Sequence, residues 1–584
     1  MSTGDGSAPQ GHRFSVWAPT AEQVEVVIAG ERWPLARAAG RGWHEGAVAG
    51  AGPGTRYAFS LDGGPVRPDP RSAFQPEGVD GPSEVVDHSA FVWTDGAWRG
   101  IPLPSAVVYE LHVGTFTPEG TFDSMVEKIP HLVDLGVQAV ELLPVNEFPG
   151  DRGWGYDGVG LFAPHHAYGG PDGLKRLVDA CHGAGLAVIL DVVYNHLGPA
   201  GNYLSEFGPY FTDKYATPWG LAVNLDDAGS DQARRFFLDN ALGWLRHYHF
   251  DGLRIDAVHA LVDTSAVHLL EEMAVEVEAL AVELGRNLFL IAESDLNDPR
   301  VVARREVGGY GVDAQWSDDF HHALHAALTG ERDGYYADFG PLGDVASALQ
   351  RAFVYAGDYS PHRGRRHGRA PQGIPGWRFL GYLQNHDQVG NRAKGERSSH
   401  LLSPERLRIA AALVLTAPFV PMLFMGEEWG AGTPFQYFTD HGDPELGRAV
   451  REGRRAEFSS FGWRPEEVPD PQDPETFHRS ELDWSEPKRD GHAQLLGWHK
   501  ALIRLRRAYP ELTSGNLAAV AVDVDEGARR LEMRRGRVGV AVNLGPQPWE
   551  RPVEAARVML SSRAASDQAG AVTIVAPDGI IIFF

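Results

Sequence analysis

Asp256, Glu293 and Asp387 each close a short apolar run: FDGLRID, LFLIAE and FLGYLQNHD. Runs this short, rich in Leu, Ile and Phe and bounded by polar turns, predict buried strands of a largely parallel sheet. A carboxylate at such an end leaves the core for the loop layer, where α/β folds hold their reactive groups. Three acids gathered there suit a nucleophile, a general acid and an electrostatic stabiliser. Splitting an acetal such as a glycosidic bond requires that set. Arg254 precedes Asp256 by two positions, and in a strand those two side chains share a face. A guanidinium beside the carboxylate favours the ionised form that an attacking group needs. The apolar approach to Glu293 favours retention of its proton, as a general acid requires. Asp387, within Asn385-His386-Asp387, is suited to oppose the positive charge of an oxocarbenium-like transition state. Taken singly, each acid reads as a capping or salt-bridging group; on separate strands of one sheet they read as a site.

The elements that must position them come from the middle of the chain. From about residue 106, eight strand candidates alternate with amphipathic helical stretches: VVYELHV, AVELLPV, LAVILDVVYNH, FDGLRID, LFLIAE, VDAQWSDDF, FLGYLQNHD and VPMLFMGEE. This alternation predicts an α/β protein whose catalytic part is a (β/α)8 TIM barrel over residues 96–512. Insertions are expected after the third strand (about 197–235), the sixth (about 330–376) and the eighth (about 427–490). One helix is expected over 264–284, capped near Asp263–Ser265 and stopped by Gly285. The last barrel helix is QLLGWHKALIRLRRAYPEL, with Leu495, Trp498, Leu502 and Leu505 on one stripe. Residues 1–95 read as an N-terminal β-sandwich, with Trp17, Trp33 and Trp43 as core residues and 68–84 as a Pro/Gly-rich linker. Residues 513–584 read as a C-terminal antiparallel β domain, with LAAVAVDV, RRLEMRR, VGVAVNL, VTIVAP and GIIIFF as strands.

Composition narrows the function. The 584-residue chain carries a formal charge of −25. Its basic runs are short, as in HRGRRHGR, which disfavours nucleic acid and anionic membranes as partners and suits a neutral substrate. Cys181 is the single cysteine, so no intramolecular disulfide forms. The polar start MSTGDGSAPQGHRF lacks the apolar stretch of a secretion signal, and a cytoplasmic location is expected.

DVVYNH, DGLRIDAVH, IAES and LQNHDQ, in this order, resemble the four signature regions of the α-amylase family of retaining glycosidases and transglycosidases. The resemblance implies Asp256 as nucleophile, Glu293 as acid/base and Asp387 as transition-state stabiliser. It implies sugar contacts from Tyr156, His196, Arg254 and His386, and places His259 on the leaving-group side. FSVWAPTAEQVEVVI resembles the sandwich of the family's branching and debranching members. GWGYDGVG, AESDLNDPR, WSDDFHHALH, NHDQVGNRA, QYFTDH and VREGRRAEF resemble the members that hydrolyse the α-1,4 bond beside a terminal trehalose. The implied substrate is a trehalose-capped maltooligosaccharide or related α-glucan, made by a companion synthase. Glycogen branching enzymes, which transfer the glycosyl group to another sugar, are the alternative. A non-catalytic glucan-binding barrel is disfavoured because all three carboxylates are present.

The eighth-strand insertion, with Phe435, Tyr437, Asp440 and His441, is expected to wall the trehalose site, and Asp440 and His441 to touch substrate. Asn202, Trp219, Asn224 and Asp226 are expected to shape the cleft rim. His321, His322 and His325 have helical spacing, but without an HExxH pattern they read as structural or cleft-lining. Many family members hold calcium through the asparagine corresponding to Asn195; here Asn195 is expected to brace the site by hydrogen bonds. No metal and no cofactor is assigned.

Overall fold

The computed structural model describes residues 11–459, 464, 467–552, 557–563, 567–568 and 572–584. The decapeptide on which the absence of a secretion signal was expected, and residues 460–463 and 465–466 of the eighth-strand insertion, lie outside the described residues.

The chain opens with antiparallel strands β1 (His12–Trp17), β2 (Val24–Ile28), β3 (Glu31–Arg37), β4 (Trp43–Val48), β5 (Arg56–Leu61), β6 (Val66–Arg67) and β7 (Ser83–Glu84). Their order is β1-β4-β3-β2-β5-β6, with β7 on β5. Alternate residues Phe14, Val16, Val24, Val26 and Phe59 turn inward and are buried. Of the expected core tryptophans, Trp17 is buried while Trp33 and Trp43 are partly buried against the core, and Trp17 and Trp43 also dock the sandwich. Trp17 meets Tyr210 edge-on at 5.0 Å, and the Trp43 indole N–H donates to Gln232 Oε1 at 2.9 Å. Residues 68–84 are no free linker. Tyr57 donates to Asp69 at 2.7 Å, Arg71 donates to Asp239 at 2.8 Å, and Ser83 donates to buried Gln75 at 2.7 Å. Proline there fixes the path while these polar groups pin it to both neighbours.

The barrel follows. It begins with β8 (Val108–Leu111) and β9 (Ala139–Leu142), then a hairpin of β10 (Asn146–Glu147) and β11 (Gly160–Pro164), then β12 (Ala187–Val192). A second hairpin, β13 (Phe211–Thr217) with β14 (Gly220–Val223), precedes β15 (Gly252–Ile255), β16 (Phe289–Ala292) and β17 (Ala314–Trp316). The short pair β18 (Tyr359–Ser360) and β19 (Arg365–Arg366) precedes β20 (Phe379–Gly381) and β21 (Val420–Phe424). Strands β8, β9, β12, β15, β16, β17, β20 and β21 close on one another in chain order, all parallel, at the eight expected positions. Alternation sorts their side chains. Val140, Leu142, Val188, Leu190, Leu253 and Ile255 pack outward under the helices. Val108, Ala139, Ile189, Phe289, Ile291, Ala314, Leu380 and Met422 fill the interior. Gly252 is required there, because a Cβ would meet the Phe289 ring at 2.4 Å. Above this apolar storey the inward positions change character, to Glu110, Glu141, Asp191 and Arg254, all buried.

The helix expected over 264–284 spans Leu269–Leu284 and ends at Gly285 with φ 62°. Its start is displaced because Asp263 folds the preceding segment onto itself. Asp263 accepts the Ser265 N–H at 2.9 Å and the Leu269 N–H at 2.7 Å, capping the helix from across a loop. The last barrel helix, Asp490–Ala508, leads to β22 (Val520–Asp525), β23 (Arg530–Arg535), β24 (Val538–Asn543), β25 (Trp549–Arg551), β26 (Val558–Ser561), β27 (Asp567–Gln568), β28 (Val572–Val575) and β29 (Gly579–Phe583). These form antiparallel sheets β22-β23-β24-β29-β26 and β25-β28-β27. No helix among the described residues is long and apolar enough to cross a membrane.

Two buried arginines brace this junction: Arg535, on β23, joins the last unit to the barrel, and Arg506, on the last barrel helix, holds the barrel segment that Arg535 also grips. Arg506 donates to the carbonyls of Leu415, Ala417 and Phe419 at 3.0, 3.0 and 2.6 Å. Arg535 donates to Thr416, Ala417 and Leu512 at 2.7, 2.8 and 3.1 Å. Burial pulls the Arg506 guanidinium down to about 9 and that of Arg535 to about 10. Losing either leaves several carbonyls unpaired, at about 1–3 kcal/mol each. Arg535→Met is therefore expected to lower stability by about 3 kcal/mol or more and to make residues beyond 512 preferentially sensitive to limited proteolysis. Unchanged thermal unfolding and digestion would refute this.

Candidate active site

The charged storey is organised around one side chain. Arg254, on β15, is adjacent in register to Asp191 on β12. Its Nη1 donates to Asp191 Oδ2 at 2.6 Å and to Asp256 Oδ1 at 2.8 Å, and its Nη2 lies 3.7 Å from Glu293 Oε2. The guanidinium has no exposed surface and stacks on the Trp316 ring, 4.1 Å from its centroid. A second chain of contacts reaches Asp387. Tyr156 donates its hydroxyl to Asp191 Oδ2 at 2.6 Å and lies 2.7 Å from His386 Nε2. His386 Nδ1 is 2.6 Å from Glu110 Oε1, and His386 Nε2 is 3.6 Å from Asp387 Oδ1. Asp256, Glu293 and Asp387, from three separate strands, thus converge on one connected network.

Exposure separates the three acids. The Asp256 and Glu293 side chains are 13% and 15% exposed, whereas Asp387 is 45% exposed. Asp387 stands on the rim in the first turn of the His386–Gly390 helix, whose N-cap Asn385 accepts its N–H at 2.9 Å. Burial pushes the Glu293 carboxyl well above its ordinary value; Asp256, Asp318 and Asp387 add to this and Arg254 opposes it. Glu293 therefore keeps its proton more readily than an exposed glutamate. Asp318 is itself pushed up to about 6 by burial and accepts the Tyr382 hydroxyl at 2.5 Å.

Local backbone strain contributes. Ala257, directly after Asp256, has φ 39°, a left-handed conformation costly for a non-glycine residue. In it the Ala257 N–H donates to Glu293 Oε2 at 2.5 Å and the Val258 N–H donates to the Glu293 carbonyl at 3.0 Å. The strained turn ties the loop after β15 to the acid after β16.

The remaining expectations divide. Tyr156 and His196 reach the cleft. His196 stacks on exposed Trp219 at 4.7 Å, and both line a pocket of about 290 Å³ with Asn202 and Asp157. A second pocket, of about 240 Å³, is lined by Tyr335, Tyr336, Arg392 and Asn391. Asn391 donates to Asp387 at 3.4 Å, which places this pocket beside the third acid. His259 is exposed on the turn after Asp256.

Arg254 and His386, expected to touch sugar, lie beneath the site. Arg254 is sealed under the acids it holds, and His386, 1% exposed, is engaged at both ring nitrogens. Asp440 has both oxygens engaged, accepting from Arg152 at 2.9 Å and from the Asp151 N–H at 3.0 Å. Asp440 thus clamps the β10–β11 hairpin loop. Buried His441 stands 3.9 Å from Asp157 in the same clamp. Phe435 is no cleft wall: it is fully buried and stacks on Trp154 at 5.1 Å, beneath the loop that carries Tyr156. Asn224 donates to Pro209 and Ala228, and Asp226 accepts from Thr264 and Tyr215, so both shape the rim by holding its loop. Asn195 makes no hydrogen bond through either side-chain atom among the described residues, so bracing falls to the Tyr156–Asp191–Arg254 chain. His321 is buried, with Nδ1 2.6 Å from the Leu383 carbonyl and Nε2 2.9 Å from the Tyr336 hydroxyl, an architectural use.

Sequence reasoning passed over Glu110 and Glu141. Both interrupt otherwise apolar strands, and a charge inside a buried strand is itself a signal. Burial pushes Glu141 well above its ordinary value, with the charges of Glu110 and Asp191 adding, so it holds its proton more readily than an exposed glutamate.

Residues 85–216 match the α-amylase catalytic domain, and residues 2–70 match carbohydrate-binding module 48, the isoamylase N-terminal domain. The chain is 52% identical over 562 residues to malto-oligosyltrehalose trehalohydrolase of Arthrobacter ramosus, covering 96% of this chain and 97% of that one. It is similar to a crystal structure from Salmonella typhimurium described as an alpha amylase, with a TM-score of 0.91, 39% identity, and coverage of 99% and 98% of the two chains. Similarity to a 1,4-alpha-glucan branching enzyme of Ralstonia nicotianae is lower, 31% over 479 residues, 72% of this chain and 57% of that one.

The hub makes a falsifiable demand on stability. Arg254→Met leaves Asp191, Asp256 and Glu293 without their cation, a loss of about 3–5 kcal/mol. Asp191 is already pushed up to about 6 by burial, and removing Arg254 raises it further. A carboxyl whose folded value is raised binds protons more tightly in the folded state, so folding weakens as pH rises. The deficit against the parent should therefore be largest above about pH 6 and shrink as pH falls toward 4. A pH-independent deficit in denaturant titrations would exclude this account.

Proposed function

This chain belongs to the malto-oligosyltrehalose trehalohydrolases of the α-amylase family, and we propose that it frees trehalose from trehalose-capped maltooligosaccharides by retaining double displacement, with Asp256 and Glu293 as the reacting pair. The observation that carries this assignment is the single guanidinium of Arg254 touching both acids while burial holds the Glu293 proton. Asp256 attacks the anomeric carbon at the cut, and Glu293 gives its proton to the bridging oxygen as the trehalose unit leaves. The glucan chain is then held as an ester on Asp256. Glu293, now a base, takes a proton from water that attacks the same carbon, and the chain departs with its original configuration. Asp387, on the rim, opposes the positive charge on the ring carbon and oxygen in both transition states. Tyr156 and the His196–Trp219 pair offer ring faces to the bound sugars. His259 stands on the leaving-group side, three residues beyond the nucleophile.

Trehalose selection requires a site for a bent α,α-1,1-linked pair in place of a continuing maltosyl helix. The pocket beside Asp387, with Tyr335 and Tyr336, suits that role. The same reading divides the chain into a sandwich (1–95), a barrel (96–512) and a β domain (513–584), and implies a companion activity that builds the trehalose cap. Branching is the weaker reading, since that resemblance is both more distant and partial.

A trehalose-capped maltooligosaccharide should yield free trehalose and a chain one trehalose shorter. New α-1,6 branches with no trehalose would overturn the assignment. Asp256→Ala and Glu293→Gln should each lose about 10³–10⁵-fold in kcat while still binding substrate by calorimetry; near-parental turnover in either would remove it from the mechanism. Asp318 raises Glu293 by its charge, so Asp318→Asn should move the alkaline limb of the kcat/KM profile to lower pH. An unmoved or rising limb would show that Glu293 is not the group that titrates there.

A further inference from the structure

The β10–β11 hairpin bears Tyr156 at its tip and a cluster of chemistry-bearing side chains at its base. Glu147 ends β10, and His165 and His166 follow Pro164 at the end of β11. Glu147 Oε1 lies 2.7 Å from His166 Nδ1 and 3.3 Å from His165 Nδ1. One ligand atom from each residue falls within a 4.8 Å cluster. The Glu147 and His165 side chains have no exposed surface, while His166 is a quarter exposed. Among the described residues, neither ring nitrogen of His165 makes a hydrogen bond of acceptable geometry, although Nδ1 points at the carboxylate. A buried polar ring left unengaged costs about 1–3 kcal/mol and calls for an explanation. On the far side of His166, Nε2 is 3.3 Å from Asp151 Oδ1. A carboxylate behind an imidazole is the arrangement that fixes the tautomer and orientation of a metal-ligating histidine.

We propose that Glu147, His165 and His166 bind one first-row divalent transition metal ion, of which zinc is the representative, stapling the two ends of the hairpin. Two imidazole nitrogens and a carboxylate oxygen are a borderline set suited to such ions rather than to calcium or magnesium. Metal–ligand bonds of about 2.0–2.1 Å separate tetrahedral ligands by roughly 3.3 Å. Two of the three ligand pairs, at 3.3 and 2.7 Å, lie within an ångström of that spacing, and the third falls inside the 4.8 Å cluster. Two adjacent histidines about ninety residues before Asp256 carry no such signal in the sequence; the fold brings Glu147 to them.

The readout is independent of the reaction. Full-length protein stripped with a chelator and desalted should take up one equivalent of Zn²⁺ by calorimetry, retain it through gel filtration, and gain about 1–3 °C in Tm. Co²⁺ in the same place should show tetrahedral d–d absorption in the visible. His166→Ala, at the partly exposed member, should weaken zinc binding at least 10-fold and abolish the thermal shift. Asp151→Asn, at the exposed hairpin tip, should weaken it by about 10-fold through the orienting contact. Failure to bind zinc at one equivalent, or equal retention by His166→Ala and the parent, would overturn the proposal.

Discussion

Everything in the barrel mouth depends on a cation that no solvent touches. Arg254 is fully buried, yet its two terminal nitrogens meet carboxylates from three strands. A buried guanidinium is tolerable only with charges and acceptors close on its edges, and the register of β12, β15 and β16 supplies them. The acids, equally, could not sit together without it. Trp316 closes the face of the guanidinium, keeping water out and the local dielectric low. Arg254 is thus the support beneath the chemistry and takes no part at the sugar surface.

Above that support the loops are held by packing from outside the barrel sequence. Trp154 stacks on Phe435, its indole N–H donates to the Gln436 carbonyl at 2.9 Å, and Asp440 grips residues 151 and 152. The insertion after β21 therefore braces the hairpin after β9. Gly155 permits this path: its φ is 96°, and a Cβ would lie 2.2 Å from the Pro144 carbonyl. Tyr156 then follows at the one place where its hydroxyl can bridge Asp191 and His386. Reach across the mouth is built from long-range contacts, which is why it is set by tertiary structure and not by any local pattern.

That distinction explains how much could be read beforehand. All eight barrel strands were legible because each is a short apolar run with a polar close, and the three acids because they mark those closes. The five C-terminal runs were legible for the same reason, whereas β25, β26 and β27 are too short or too polar to announce themselves. Arg254 was legible as a neighbour of Asp256, but its depth was not, since sequence gives the face of a strand and not the storey of a barrel. Phe435 and Asp440 looked like cleft residues because their segment lies at the mouth; the hairpin they pack against covers them. Ala257 carries no mark at all, because alanine in a left-handed turn looks like alanine anywhere.

The charge balance of the interior assigns the protons. His386 is pushed upward by Glu110 and Asp387 against its burial, and its contacts agree. Tyr156 donates to Asp191, so its oxygen accepts from His386 Nε2, while Nδ1 donates to Glu110. Both ring nitrogens thus face oxygen acceptors, which favours the protonated ring. Arg254 and His386 are then two cations facing Glu110, Glu141, Asp191, Asp256, Glu293 and Asp387. Glu141, unpartnered in the barrel among the described residues, and Glu293, at the longer of the Arg254 contacts, are both pushed upward chiefly by burial and so hold their protons more readily than exposed glutamates. Glu293 lies 3.7 Å from the guanidinium, against 2.8 Å for Asp256, a difference that fits the general-acid role proposed for it. One residue's placement between two carboxylates sets their surroundings apart.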